Sequence, residues 1–381
     1  MQKTLTIVVC CYNSAKTILN TLNSIDIKSN KDIDVFLIDD GSKDNLKEIV
    51  KDYLKDYPDR VHYFRKENGN WGSCINFAIA NANSRFLSVL DSDDTYNTKS
   101  LGSLLEILRS ARPETDMVFC NYEFHFINER SAKIKPVLVS RTNDLIKYKS
   151  YKHLSLFHII TIHSAIFSLD ILKTINPLPS RVYYSDNVLI YQALLRARNV
   201  AYVNRNLFLY QYYIRQGNQS ISIERSLKNF HHFEIIFEQL LKQPFIKGDR
   251  KRLRISKRCI TMHMYWLMRI LVNDYSRDIS ARCDMLKNYI LQYEETVENN
   301  HCSKFLFHSF VTRLMKYTPR FAMWVTRVAL AMVKSGFIKA TDYSKENKKE
   351  AHAFAKAQRK AWRQQRRERR KAARANRTKT I

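Results

Sequence analysis

The chain has 381 residues, 45% hydrophobic and 26% charged, and 64 Lys/Arg against 36 Asp/Glu give a net charge of +28. That composition excludes a disordered polypeptide and leaves room for one substantial α/β domain with a second unit behind it. Seven scattered cysteines, Cys10, Cys11, Cys74, Cys120, Cys259, Cys283 and Cys302, show no Cys-x-x-Cys spacing, so neither a disulfide framework nor a zinc site is supported.

Met1-Gln2-Lys3-Thr4 runs straight into the strand-like Leu5–Cys11 with no small-residue cleavage site behind it, which predicts no secretory leader and a cytoplasmic location. A helix from Ser14 to about Ile25 follows, with Ile18, Leu22 and Ile25 on one face. Val35–Ile38 then precedes a helix near Asp44–Leu54, Val61–Phe64 precedes a helix near Gly72–Asn81, and Phe86–Leu90 closes the series. Four strand–helix units with short polar connections predict a mostly parallel sheet with helices on both faces. Ligands of such a sheet bind at the C-terminal ends of its strands.

Those ends carry Tyr12-Asn13, Asp39-Asp40-Gly41-Ser42, Glu67-Asn68-Gly69-Asn70-Trp71-Gly72 and Asp91-Ser92-Asp93-Asp94. Tyr12 can stack on a base, Asp39 can accept from a base N–H or a ribose hydroxyl, and the Gly69/Gly72 loop admits a phosphate close to backbone. Asp91 and Asp93, alternate residues at a strand end, can aim two carboxylates at one divalent cation. Each segment also has an ordinary local reading. Asp39–Ser42 is a turn sequence, Ser42 or Asp44 can cap a helix, and Asp94 precedes a helix predicted from about Thr98 to Ser110.

Thr6-Ile7-Val8-Val9-Cys10-Cys11-Tyr12-Asn13, Phe36-Leu37-Ile38-Asp39-Asp40-Gly41-Ser42 and Leu90-Asp91-Ser92-Asp93-Asp94, in that order, resemble the family-2 glycosyltransferases of GT-A fold. Arg65-Lys66-Glu67-Asn68-Gly69-Asn70-Trp71-Gly72-Ser73-Cys74-Ile75-Asn76 is similar to a bacterial surface-polysaccharide subgroup, and the likeness extends over roughly residues 4–223. The resemblance implies that Asp39 contacts the nucleotide base with Tyr12 beside it. Cys10, Asn13, Asp40 and Asn70 then belong to the same nucleotide-sugar pocket. It implies that Asp93 first, and Asp91 in support, hold Mg²⁺ or Mn²⁺ at the donor diphosphate, with Asp94 toward the sugar. Cys10 stands where many members carry Pro or Thr, which removes a side-chain hydroxyl contact to the base.

Tyr184-Ser185-Asp186-Asn187 puts an acid before a helix-like segment whose Val188, Leu189, Tyr191 and Leu195 can pack inward. Sugar transfer with inversion needs a base for the acceptor hydroxyl, and a carboxylate also stabilises a cationic transition state. The family usually presents Glu-Asp here, so Asp186 matches as the base and Ser185 departs. Tyr210–Ser222 resembles a loop that folds over the donor, making Arg215, Gln219 and Ser220 candidates for diphosphate or acceptor contacts; His163 in Thr161–Ser164 is also reminiscent of the subgroup.

Beyond residue 225 the periodicity is helical. Arg313, Arg320, Arg327 and Lys334, each seven apart, drift by only about 20° per repeat and predict a basic stripe beside Phe321, Trp324, Val325 and Val328. Two of these charges interrupt the longest apolar run, so no transmembrane helix is predicted. From Lys345 to Ile381 there are fifteen Lys/Arg against three Asp/Glu. Such a block suits an anionic membrane surface, and a helix pair closing a homodimer is a further option. The expected organisation is a catalytic domain over 1–223, a helical accessory region over 224–344 and a basic tail over 345–381.

The sequence thus reads as a membrane-peripheral inverting enzyme that moves a hexose or N-acetylhexosamine from a nucleotide sugar, a UDP-sugar by expectation, to a lipid-linked glycan in surface-polysaccharide synthesis. A sugar-phosphate nucleotidyltransferase is the alternative enzyme; it lacks support because no Gly-rich loop follows the first strand. A nucleic-acid-binding protein acting through its tail is the third reading, disfavoured by only one Trp and one Phe in that segment, Trp362 and Phe354.

Overall fold

Leu5, Ile7, Val8 and Val9 are fully buried because the strand they build has a sheet neighbour on each side. A strand enclosed in this way reads as a continuous apolar run rather than an alternating one. A computed structural model describes residues 2–126, 131–134, 146–150, 161–203, 207–214, 222–243, 249–299 and 315–335. It divides into two compact units, Met1–Ile214 with Glu238–Cys259, and Arg215–Phe237 with Ile260–Ile381.

In the first unit, β1 (Lys3–Cys11), α1 (Ile18–Ile25), β2 (Ile33–Asp39), α2 (Leu46–Ile49), α3 (Lys51–Asp56), β3 (Val61–Arg65), α4 (Asn70–Asn81) and β4 (Ser84–Asp91) form the predicted alternation. Two boundaries differ from expectation. The helix expected from Ser14 starts at Ile18, since Ser14–Thr17 make a turn, and the helix expected over Asp44–Leu54 divides at Val50.

The series does not close at β4. After β5 (Thr95–Tyr96) and α5 (Thr98–Arg109) come β6 (Met117–Phe119), β7 (Asn121–Phe126), β8 (Ser131–Ile134), β9 (Ile146–Ser150), β10 (Ala165–Ser168), α6 (Leu169–Leu172), α7 (Asp186–Arg196), β11 (Asn199–Val203) and β12 (Phe208–Ile214). Among the described residues the main, mostly parallel sheet runs β3-β2-β1-β4-β10-β6-β11-β9, and a second runs β5-β12-β7-β8. The added strands β6, β10 and β11 have three to five residues each. Runs so short carry almost no periodicity of their own.

Chain order reverses at β1: the chain moves outward through β2 and β3, then returns to lay β4 on the other side. A crevice opens at such a switch point beyond the C-terminal strand ends. Register brings Cys10 opposite Asp91, Cys11 opposite Asp39 and Asp39 opposite Arg65, so the motif residues share one rim.

The second unit contains α8 (Ile223–Lys228), α9 (Phe230–Leu241) through Phe237, α10 (Arg250–Asn273) from Ile260, α11 (Ile279–Asn299) and α12 (Pro319–Ser335). Its core includes Phe237, Leu267, Leu271, Leu286, Ile290 and Tyr293. Buried His263 lies 2.7 Å from the Phe233 carbonyl, to which its Nε2–H donates, and burial pushes its pKa down to about 4, so it stays neutral. The expected basic stripe is only partly present. Arg320 is exposed, but half-buried Arg327 turns inward, its guanidinium 3.5 Å from the Val272 carbonyl and over the Tyr275 ring; Arg313 and the Lys334 side chain lie outside the described residues. Among the described residues no helix is long and apolar enough to cross a membrane.

Candidate active site

The two acidic motifs are built differently. Asp39 is fully buried at the end of β2: one carboxylate oxygen accepts from the Ser42 amide at 2.7 Å, the other from the Tyr63 hydroxyl and from Arg65 at 3.1 Å. Burial alone would raise its pKa, but these hydrogen bonds and the Arg65 charge outweigh it and hold the carboxyl below the usual range. Asp40 serves the next loop. It accepts from Lys66 Nζ at 2.6 Å and from the Gly69 and Asn70 amides at 2.9 and 2.8 Å, drawing the Glu67–Gly72 loop back over β2. Gly41 makes the turn at φ +78°, and Asn70 takes φ +63° at the start of α4.

Asn13, also left-handed, accepts from the Lys43 amide at 2.8 Å and donates its own amide to Ser42 Oγ at 3.0 Å, tying the β1 exit to the Gly41 turn. Tyr12 projects from this exit with half its surface exposed, free to stack on a planar group. The partly buried Cys10 thiol is hydrogen-bonded with Cys74 of α4, and that bond, burial and nearby Asp91 raise its pKa, so it stays a thiol.

The acidic turn after β4 is gripped from two sides. On one, Thr17 and Thr21 hydroxyls donate to the Ser92 carbonyl at 2.7 and 3.1 Å, and Thr21 also to the Asp94 carbonyl at 2.8 Å. On the other, the Asp91 amide donates to Tyr210 Oη, whose hydroxyl in turn donates to Asp94 at 2.8 Å, while the Tyr213 amide donates to the other Asp94 oxygen at 2.8 Å. Asp94 therefore does not cap α5. Asn97 does, accepting from the Ser100 amide at 3.0 Å.

Burial, then the charges of Asp91 and Asp93, push the Asp94 carboxyl well above the usual range. A bound cation relieves that crowding. One ligand atom each from Asp91, Asp94 and His163 lie within 4.8 Å of one another, a donor set of two carboxylates and an imidazole that fits a divalent ion, while Asp93 is exposed on the same turn. His163 stands on the turn Ile162–Ser164, 3.8 Å from Asp91, with its ring edge-on to Tyr210 and Tyr212 at 4.7 Å each.

Asp186 begins α7, whose Val188, Leu189, Tyr191 and Leu195 are buried as expected. Its carboxyl is raised by burial and by the Asp91 charge, with His163 opposing, so these three groups act within one electrostatic neighbourhood. The loop before it is pinned to α4. Asn76 both donates to the Leu178 carbonyl (2.8 Å) and accepts from the Leu178 amide (2.9 Å), and the Arg181 amide donates to the Gly69 carbonyl at 2.7 Å. Gln192 of α7 makes a second reciprocal pair of hydrogen bonds, accepting from the Asn176 amide and donating to the Asn176 carbonyl. Arg215, Gln219 and Ser220 lie outside the described residues.

Sequence reading did not single out Arg65, Tyr63, Lys66 and Asn76 as partners. The first two were accessible, because alternation along β3 puts Tyr63 and Arg65 on one side of the strand next to Asp39. Asn76 carries no local signal, since its partner is 102 residues away.

Comparison with known proteins gives this architecture a family. The profile described as Glycosyl transferase family 2 matches residues 6–175. An uncharacterised glycosyltransferase of Mycoplasma genitalium is 26% identical over 239 residues, covering 62% of this chain and 76% of that protein. A homologue in Mycoplasma pneumoniae is 27% identical over 230 residues, covering 56% and 69%. Among solved structures, S. aureus TarS 1–349 superposes with a TM-score of 0.60 at 17% identity over 90% of this chain and 95% of that one; the same protein in complex with UDP-GlcNAc gives 0.56 at 16%. The nucleotidyltransferase alternative is thereby set aside: residues 6–175 carry the match to glycosyl transferase family 2, on a GT-A fold.

Proposed function

We propose that this glycosyltransferase moves a hexose or N-acetylhexosamine, with inversion, from a UDP-sugar to a lipid-linked glycan during surface-polysaccharide synthesis, working at the cytoplasmic face of the membrane. The observation that carries the reading is the shared electrostatic neighbourhood of Asp186, Asp91 and His163 beyond the β1/β4 switch point. Support for the donor comes from TarS, which shares the fold and is known in complex with UDP and with UDP-GlcNAc. In this proposal Tyr12, Cys10, Asn13 and Asp39 surround the base, and the loop held by Asp40, including Asn70, lies toward the diphosphate. Asp186 takes the acceptor hydroxyl's proton as that oxygen attacks the anomeric carbon from the face opposite the diphosphate. Asp93 first and Asp91 in support would hold Mg²⁺ or Mn²⁺, with Asp94 and His163 close enough to Asp91 to add ligand atoms; the ion would supply Lewis-acid neutralisation of the leaving diphosphate.

The test is UDP release across a nucleotide-sugar panel before and after chelation. Chelator is expected to stop release with UDP-sugars, and Mg²⁺ or Mn²⁺ to restore it. Asp91→Asn is expected to weaken Mn²⁺ binding, read by titration calorimetry without substrate, by at least the roughly 10–100-fold that loss of an outer-shell partner costs. Unchanged Mn²⁺ affinity together with chelator-resistant activity would sink the metal assignment.

A pH profile tests the base separately. Only ionised Asp186 can accept a proton, so activity falls as pH drops through its raised pKa. The acid limb of kcat is therefore expected above the value of about 4 typical of an aspartate.

A further inference from the structure

Among the described residues of the second unit, an aromatic ridge stands uncovered. Tyr317, Phe321, Trp324 and Val325 are 72, 51, 57 and 36% exposed, and the Phe321 and Trp324 rings stack on each other at 5.6 Å. Phe321, Trp324 and Val325 follow helical spacing along one side of α12, with Tyr317 just ahead of it and exposed Arg320 beside it. The other side is engaged: Ala322, Met323 and Thr326 are buried, the Thr326 hydroxyl meets Met268 Sδ at 3.4 Å, and α12 packs on α11. The ridge is thus the face left over after α12 has met its own core.

We propose that this ridge is a membrane-contact face that sinks into the headgroup layer of an anionic bilayer, with Arg320 and the basic 345–381 segment supplying the long-range attraction. The inference deepens the membrane-peripheral reading above and rests on it. Two properties choose the occupant. Tyr and Trp carry an apolar body with a polar handle and settle at the boundary between hydrocarbon and water, which a ridge of Leu or Val would not favour. Charge selects among remaining partners: a chain of net charge +28 repels a second copy of itself, whereas a bilayer rich in anionic lipid is complementary to it. An interfacial helix needs this combination of a buried side, an apolar outer strip and flanking basic residues.

The experiment uses the full chain with vesicles of phosphatidylcholine, with and without phosphatidylglycerol, in a flotation assay. Wild type is expected to float with anionic vesicles and not with neutral ones. Phe321→Ser/Trp324→Ser is expected to reduce the bound fraction about tenfold, and Phe321→Tyr/Trp324→Tyr to keep most of it. Lipid-free UDP release and a thermal melt accompany each variant and are expected to stay at wild-type values. If wild type floats and the Ser variant floats equally, the ridge assignment is wrong and membrane binding belongs to the tail alone. If wild type does not float, the membrane reading fails as well; if it floats but no nucleotide sugar yields UDP, the transfer reading fails while the ridge stands. Conversion of a wild-type dimer to a monomer by the Ser variant, or loss of RNA binding in it, would overturn the proposal in favour of those partners.

Discussion

Asp186→Asn is expected to lower the rate of sugar transfer by about 10²–10⁴-fold, the range a positioned general base contributes, while UDP affinity stays within about twofold. The substitution keeps size and shape at the first position of α7, where the backbone begins the helix and the buried Val188, Leu189 and Tyr191 fix the register. An amide cannot take a proton, so the loss falls on the chemical step rather than on binding. Asp91, Asp94 and His163 keep their mutual geometry because Asp186 supplies no ligand atom to that group. UDP release with acceptor present, UDP release by donor hydrolysis and UDP binding by calorimetry separate the cases. Loss of UDP binding in parallel with turnover would mean a structural role; full transfer activity would remove Asp186 from the mechanism.

The parallel half of the sheet was legible because β1, β2 and β4 are enclosed on both faces and present long apolar runs. The other half was not. β6, β10 and β11 are short, and β10 joins β4 and β6 antiparallel, a connection that strand–helix alternation does not suggest. The Tyr-rich segment Tyr210–Ile214, expected as part of a loop over the donor, is instead the end of β12, paired with β7 and, at Tyr210 and Gln211, with β5.

The candidate site divides in the same way. Asp39, Asp40, Asp91, Asp94 and Asp186 all stand at strand ends or a helix start, as their flanking patterns imply. Their environments were hidden, because each is set by a distant segment. Asp94 is adjacent to a helix in sequence, yet it belongs to Tyr210 and Tyr213, and no local pattern distinguishes those roles. Consequently, two acidic pairs that look alike in sequence differ in electrostatics. Asp39 and Asp40 are matched by Arg65 and Lys66 at the end of the adjacent strand and form parts of a rigid rim, with Asp39 held below the usual carboxylate range. The acidic turn after β4 is set against tyrosines and a histidine, and Asp94 is raised by burial and then by its acidic neighbours. Only the second arrangement gains from an added cation.

Gly72→Ala is expected to reduce kcat by about 10²-fold with the donor KM little changed, even though alanine is the better helix former. A Cβ at position 72 would meet the Pro179 carbonyl oxygen at 2.6 Å and Ser185 Oγ at 2.9 Å, both in the segment that delivers Asp186. Neither can yield independently. That segment is held on α4 by the Asn76–Leu178 pair and on the loop before α4 by the Arg181–Gly69 bond, so relief of the clash displaces the start of α7. A displacement on the order of 1 Å at a reacting group costs about two orders of magnitude in rate. Stability responds less, because a helix-propensity gain of about 1 kcal/mol offsets part of an overpacking cost of about 1–3 kcal/mol. Gly102→Ala is the matched control: its Cβ meets nothing within 4 Å on α5, and it is expected to stabilise the fold by about 1 kcal/mol with activity unchanged. Thermal melts and UDP-release kinetics on the two variants distinguish a positioning contact from a general intolerance of substitution, and wild-type kcat in Gly72→Ala would show that the close approach of α4 does not set the base.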